Sequence, residues 1–462
     1  MNLHDALQAM MPEHLLLLGI VGVLVCEIAG RSARLAFGVA LACTVVSTLS
    51  ALGMALDHQP ITAPFAGHYS IDAATALSKA VVLALALPVL LIARDECRGA
   101  EFPALLLSSL YGIALMLSAD SFLTLFLGLE LMSLPVYALV LQAHRRAASA
   151  EAALKYLVLG GTASAMLLMG ASLIYGSSGS LASAGYAAAL ASNDAMVRVG
   201  AVLVMLAFFL KSAIVPFHAW APDAYEGAGV PVTAYMAVLV KAGVVLALVR
   251  LLGRANLGSP LLELVAWLPL ASIVWGNLAA MRQPTLRRLI AYSSIAHAGY
   301  LFYALLGDPA GRLQSVAFYL LAYGLMNLLA FAALPAADDD VARDRLDNLR
   351  GLFHRAPFAA LMLGLAMLSL AGIPPLPGFV AKFLIFRNVM TSGHTLVAVL
   401  GLVGSYLGIY FYLRVIQLMF MSPDAAVATA APRQRLAVGA SVACIAAAML
   451  VAVFPGWVIG RF

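Results

Sequence analysis

Residues 208–243 read FFLKSAIVPFHAWAPDAYEGAGVPVTAYMAVLVKAG. Two apolar runs, each holding a lysine (Lys211 and Lys241), are separated by a segment with Pro216, Pro222 and Pro231. Proline removes a backbone donor and frees a carbonyl, and at membrane depth such breaks are tolerated only against protein or internal water. A lysine at the centre of a membrane helix costs about 2.5–3.5 kcal/mol on insertion scales. The stretch therefore predicts a discontinuous membrane helix beside a polar path, with the break between Lys211 and His218.

The rest of the chain agrees with a membrane setting. Of 462 residues, 63% are hydrophobic and only 11% charged, with a mean hydropathy of +0.97; a soluble protein carries about 25% charged residues. The period-2 alternation of an outer-membrane barrel is absent. The fold class expected is an all-α polytopic membrane protein. Apolar runs fall at about 14–30, 34–56, 73–93, 102–118, 121–142, 152–176, 199–220, 229–253, 260–281, 286–307, 313–335, 356–390, 396–420 and 436–459. That predicts about 14 transmembrane helices, each on the order of 20 residues. The first run holds Glu27 and has no basic flank, which reads as a retained helix and not a signal peptide.

Other chemistries find no support. Cys26, Cys43, Cys97 and Cys444 are scattered and form no metal-binding pair. No glycine-rich nucleotide loop is present. The net charge of +5 follows from topology and needs no nucleic acid. Arg31, Arg34, Arg94, Arg98, Arg145, Arg146, Arg282, Arg287, Arg288 and further arginines at 343–355 and 433–435 occupy one set of alternating connections. The other set holds only Arg198, Arg250, Arg254, Arg312 and Arg461. The positive-inside rule puts the rich set in the cytoplasm and both termini on the periplasmic side, with 336–356 as the longest cytoplasmic loop.

The lysines differ from the arginines. There are five, Lys79, Lys155, Lys211, Lys241 and Lys382, against 22 arginines, and all five lie inside apolar runs. Arginine stays protonated, whereas a desolvated lysine can release its proton near neutral pH. A buried lysine whose acidic partner can move is thus a proton site that loads and unloads. A second reading stands beside it, above all for Lys79 and Lys155, in which the side chain snorkels to the membrane surface or is held in a fixed structural ion pair. The matching acid is Glu130 in FLGLELMSLPVYALV, ten residues from Asp120 and fourteen from His144 and so near mid-span. His218 and His297 titrate near neutrality by default and join the set as proton relays.

A second interrupted run, LAGIPPLPGFVAKF, carries Pro374, Pro375, Pro377 and Lys382. Lys211 precedes Pro216 by five residues and Lys382 follows Pro377 by five, a mirrored order that suggests inverted repeats with discontinuous helices around an ion path. Gly404 and Gly408 in GSYLGIYFYLR form a helix-packing pair. Tyr292, Ser293 and Ser294 read equally as lining a water file or as bonding across helices.

At this point the residues resemble a known family. FLGLELMSLPVYALV, EAALKYLVLGGTASAMLLMGASLIYG, the 208–243 stretch, RQPTLRRLIAYSSIAHAGYL and LSLAGIPPLPGFVAKF resemble the subunit N family of NADH-quinone oxidoreductase, the proton-pumping bacterial respiratory complex I. The likeness runs from about residue 100 to 420; the ends match only in hydropathy. It implies an antiporter-like fold of fourteen helices with two inverted five-helix repeats and breaks in helices 7 and 12. The division implied is helices 1–3 in 1–100, a first repeat in 101–255, a second in 256–421 and a last helix in 422–462.

The resemblance also implies roles. Glu130 would be the acid on the fifth helix paired with Lys211 on the seventh, and Lys155 would modulate that pair. Lys241 would be the central-axis lysine, His218 would bridge the half-channels, and Lys382 would be the exit-side lysine. Arg287 stands where many relatives have lysine. The implied function is proton translocation coupled to electron transfer from NADH to quinone in other subunits. An Mrp-type or free-standing cation/proton antiporter is the alternative. No cofactor or metal is expected in this chain, and flavin and iron–sulfur clusters would sit in partner subunits. The partners implied are an antiporter-like neighbour and small K/J-type subunits, in the bacterial inner membrane.

Overall fold

The computed structural model describes residues 3–57, 62–97, 99–142, 147–335, 344–422 and 435–462. His144, Arg98, Arg145, Arg146, Arg343, Arg433 and residues 336–343 of the long 336–356 connection, which entered the topology argument, lie outside the described residues. The described chain is nearly all helix; a short hairpin, Thr62–Phe65 against Tyr69–Ile71, is its only sheet.

Local sequence places the helix ends. Asp72 caps Ala73–Glu96 by accepting from the Thr75 amide at 2.7 Å, and Ser121 caps Phe122–Leu141 through the Thr124 amide at 3.1 Å. Proline opens Pro309–Ala332, Pro357–Ala371 and Pro377–Thr391, where no intrahelical donor is lost.

Among the described residues, eleven helices are long and apolar enough to cross a membrane. The count becomes twelve if Ala184–Leu190 and Ala195–Lys211, which meet at 118°, form one span. Glu101–Leu117 and Pro357–Ala371 are apolar but shorter. The expected fourteen is reached only by counting Glu101–Leu117 and by joining helix halves across 212–219 and 372–376, where helical winding stops. Both predicted breaks are present: Ala195–Lys211 is followed by Trp220–Gly227, and Pro357–Ala371 by Pro377–Thr391.

Burial sorts helices that hydropathy cannot. An 18-residue window of Val230–Leu252 is 100% buried, against 33% for Met11–Ile28, although both are strongly apolar. Val230–Leu252, Leu286–Tyr303 and Pro309–Ala332 form the core, and the outer spans expose leucine and valine as a lipid-facing wall does. Within Val230–Leu252 the residues Met236–Val240 wind as a π turn, directly before Lys241. Gly404 and Gly408 pack as expected: a side chain at either would strike Ile273 or Asn277 of Ser259–Ala280, and Asn277 Nδ2 donates to the Gly404 carbonyl at 2.9 Å.

Candidate functional site

At the arginine-rich end a cavity of about 320 Å³ is lined by Glu151, Lys155, Asp223, Glu226, Arg287 and Asp344. Lys155 is exposed at its mouth, paired with Glu151 at 2.6 Å and Asp223 at 2.7 Å. Arg288 bonds Asp223 at 3.1 Å and Glu226 at 2.8 Å. Arg287 is fully buried, its Nε 2.9 Å from Asp344 Oδ2, and it also donates to the Ala228 carbonyl at 2.6 Å. A buried pair of this kind is costly to break from one side, by about 3–5 kcal/mol, so it clasps the 344–346 segment onto the start of Leu286–Tyr303.

Lys211 ends the first half of its broken helix and is buried. Its Nζ donates to Ser133 Oγ at 3.0 Å and to the Tyr137 hydroxyl at 3.2 Å. Glu130, Ser133 and Tyr137 follow one face of Phe122–Leu141 at helical spacing. Lys211 and Glu130 form no ion pair; Glu130 Oε1 accepts from Ser164 instead. The break's own polar groups are met elsewhere: Trp220 Nε1 donates to the Leu210 carbonyl at 2.9 Å, and the Val215 amide to Ser272 Oγ at 2.8 Å.

His218 lies inside the break and half-buried, turned to the outer wall, where Trp275 Nε1 donates to its Nε2 at 2.9 Å. Its Nδ1 has no partner, and it bonds neither Lys211 nor Lys241.

The remaining groups share one spine, Leu286–Tyr303. Lys241 donates to the carbonyl and the hydroxyl of Ser294, and Ser294 is also 3.3 Å from the Tyr225 hydroxyl of Trp220–Gly227. His297 Nδ1 is 2.7 Å from the Tyr319 hydroxyl and its Nε2 3.1 Å from that of Tyr412, which bonds Ser293 at 2.5 Å. Ser293 and Ser294 thus bond across helices, the second of their two readings. A void of about 10 Å³ borders His297, close to the room one water needs. Lys382 Nζ donates to the Ala371 carbonyl at 3.0 Å and Ser405 Oγ at 3.1 Å, over the Tyr300 ring at 5.2 Å.

Lys211, Lys241 and Lys382 therefore lie buried with neutral partners only, and among the described residues none of them has an ion pair. Their hydroxyl and carbonyl partners were missed by sequence reasoning, which looked for acids. The π turn before Lys241 left no mark in the sequence. Among the described residues no cluster of three His, Cys, Asp or Glu could hold a metal.

A discontinuous-helix bundle with buried lysines strung along its axis defines an antiporter-like membrane protein. The chain belongs to the family described as NADH:quinone oxidoreductase/Mrp antiporter, whose profile matches residues 119–408. It is 38% identical to NADH-quinone oxidoreductase subunit N of Pelobacter propionicus over 421 residues, 90% of either chain. It is 36% identical to the subunit N of Methylobacterium nodulans over 450 residues, 94% of this chain and 93% of that one. A chain of the respiratory complex I from Thermus thermophilus, solved with bound aureothin, superposes with a TM-score of 0.84 at 34% identity, over 97% of this chain and 98% of that one. A chain of the Mrp complex from Dietzia sp. gives 0.85 at 23% identity over 98% and 96%, a likeness of fold alone.

Proposed function

We propose that this chain is a membrane-arm subunit of a proton-pumping NADH:quinone oxidoreductase. It would carry protons through Glu130, Lys211, Lys241, His297 and Lys382 while other subunits pass electrons from NADH to quinone. The observation that carries this reading is the row of three buried ammonium groups with no counter-ion. Such a group is expensive to keep charged, and only lysine, unlike arginine, can shed the charge by handing its proton on.

The cavity around Lys155, Asp223 and Glu226 would load the path, and Tyr225 and Ser294 would link it to Lys241. Lys155 would tune Asp223 from the cavity mouth. Lys211 is held apart from Glu130 by Ser133 and Tyr137, the open arrangement of a pair whose closure would hold the lysine's proton. His218 enters through its place inside the break and its unserved Nδ1. The two halves, 101–255 and 256–421, would act as inverted repeats, each with one break. We place the arginine-rich end in the cytoplasm of a bacterium, both termini in the periplasm, and flavin and iron–sulfur clusters in partner subunits; an antiporter-like subunit and small K/J-type subunits would be the membrane neighbours.

The antiporter alternative shares the family description, but the relatives that cover nine-tenths of the chain are named subunit N. The test is to solubilise the native complex and to follow NADH-driven acidification of vesicles. Flavin and iron–sulfur subunits should co-purify. Lys211→Ala and Glu130→Gln should abolish acidification while NADH oxidation by an artificial acceptor continues. Full acidification by Lys211→Ala, or a chain isolated without redox subunits, would sink the reading.

A further inference from the structure

A polar cluster in the first three spans takes no part in the path above. Glu13 of Met11–Ile28 and Lys79 of Ala73–Glu96 meet at 2.5 Å with both side chains at 0% exposure. Of the readings the sequence left for Lys79, the structure excludes snorkelling and shows an ion pair. The Tyr69 hydroxyl accepts from Lys79 Nζ at 2.8 Å. That hydroxyl also stands 3.0 Å from Glu13 Oε1 and 3.2 Å from the Ala9 carbonyl. A phenol has one proton, so Tyr69 can serve only one of those two acceptors at a time.

Glu13 Oε2 is buried and has no hydrogen-bond partner among the described residues. A pair built only to brace the fold would be expected to satisfy both carboxylate oxygens, because an unmet buried acceptor is a standing cost. The open oxygen instead leaves the carboxyl room to turn and carry a proton besides its contact with Lys79. Open space lies one residue away. A cavity of about 540 Å³ at the arginine-poor end is lined by Ala9, Asp57, Asp72 and Ala76 among others. Ala9 is the other acceptor of the Tyr69 hydroxyl, so one phenol separates the cavity wall from the ion pair. The charged and titratable neighbours are Tyr111 of Glu101–Leu117, Asp72, and Arg250 at the end of Val230–Leu252, which bonds Ser70 at 2.7 Å and also Thr75.

We propose that Glu13, Lys79 and Tyr69 form a proton-binding site that exchanges with water at the arginine-poor face, apart from the axial path. In loading, a hydronium ion on the Ala9 side gives a proton to the Tyr69 hydroxyl as Tyr69 passes its own to Glu13 Oε1, the oxygen it faces, and the carboxyl then turns to hold that proton on its open side. Lys79 stays an ammonium, so the site gains one positive charge beside Asp72, and release is the reverse.

Infrared difference spectra of the full chain in lipid vesicles, between alkaline and acidic buffer, read protonation directly and do not depend on pumping. The wild type should show a protonated-carboxyl band that Glu13→Gln lacks and Glu130→Gln keeps. Because Glu13→Gln alone leaves Lys79 unpaired, the double variant Glu13→Gln/Lys79→Met repeats the test with both charges gone, and the same band should be missing. Tyr69→Phe should keep the band but slow its appearance after a pH jump. A band that persists in either Glu13 variant overturns the proposal, as does a wild type without one.

Discussion

The two broken helices solve the same problem in opposite ways. At the first break the freed main chain is served by neutral side chains, Trp220 on the Leu210 carbonyl and Ser272 on the Val215 amide. Lys211 is left to reach across to Ser133 and Tyr137 on another helix. At the second break the lysine is itself the partner of the freed carbonyl, since Lys382 donates to Ala371, the last residue before the gap. Each break also carries a left-handed residue: Ala213 at φ 60° in the first, Gly372 at φ 88° in the second. The difference separates function from scaffold. Lys211 can change partners without disturbing its own backbone, whereas Lys382 cannot leave without orphaning a carbonyl.

The largest effect that could break this comparison is truncation of each lysine. Lys211→Ala should end NADH-driven acidification with little loss of stability, because Ser133 already bonds the Leu129 carbonyl at 2.7 Å. Lys382→Ala should end acidification and also lower chain stability by about 1–3 kcal/mol, the cost of an unmet buried acceptor. Thermal unfolding of the two complexes, measured together, decides the matter; equal stabilities would dissolve the distinction.

Next in size is removal of the hydroxyls. Ser133→Ala with Tyr137→Phe strips Lys211 of both partners, about 1–3 kcal/mol, and should shift its protonation equilibrium roughly 5- to 150-fold. Ser405→Ala leaves Lys382 its carbonyl and should shift pumping by much less. The pH profile of vesicle acidification reads both. Smaller again is Gly372→Ala, which forces an L side chain into the left-handed region at about 1–2 kcal/mol and puts its Cβ 3.1 Å from Lys382 Cδ. The smallest effect is Ala213→Gly, which should relieve strain and raise stability by no more than about 1 kcal/mol. A destabilised Ala213→Gly would show that the alanine is there for packing.

The spans and both breaks were legible because apolar runs and prolines report directly on main-chain hydrogen bonding. The lysines were legible because arginine and lysine part company along the chain. Partners were not. Glu13 lies 66 residues from Lys79, and Asp344 lies 57 from Arg287. In a membrane both faces of a helix are apolar, so periodicity does not say which face a charge presents or whom it meets. Lys155 shows the same limit from the other side: it sits in an apolar run, yet lies exposed in a cavity with Asp223.

The π turn at Met236–Val240 has a consequence in angles. Five residues wind where an α-helix would use about four, and each α-helical residue turns the chain by roughly 100°. The turn therefore acts as a phase shift for everything after it. Winding the same five residues as a uniform α-helix would swing the rest of Val230–Leu252 around its axis by about that angle. Lys241 would then face away from Ser294, and in the same movement Arg250 would turn from Ser70 and Thr75. Deleting one residue between 236 and 240 should therefore let the helix wind evenly with both cations still on their bearings, whereas ironing out the turn with all five residues kept would misdirect both.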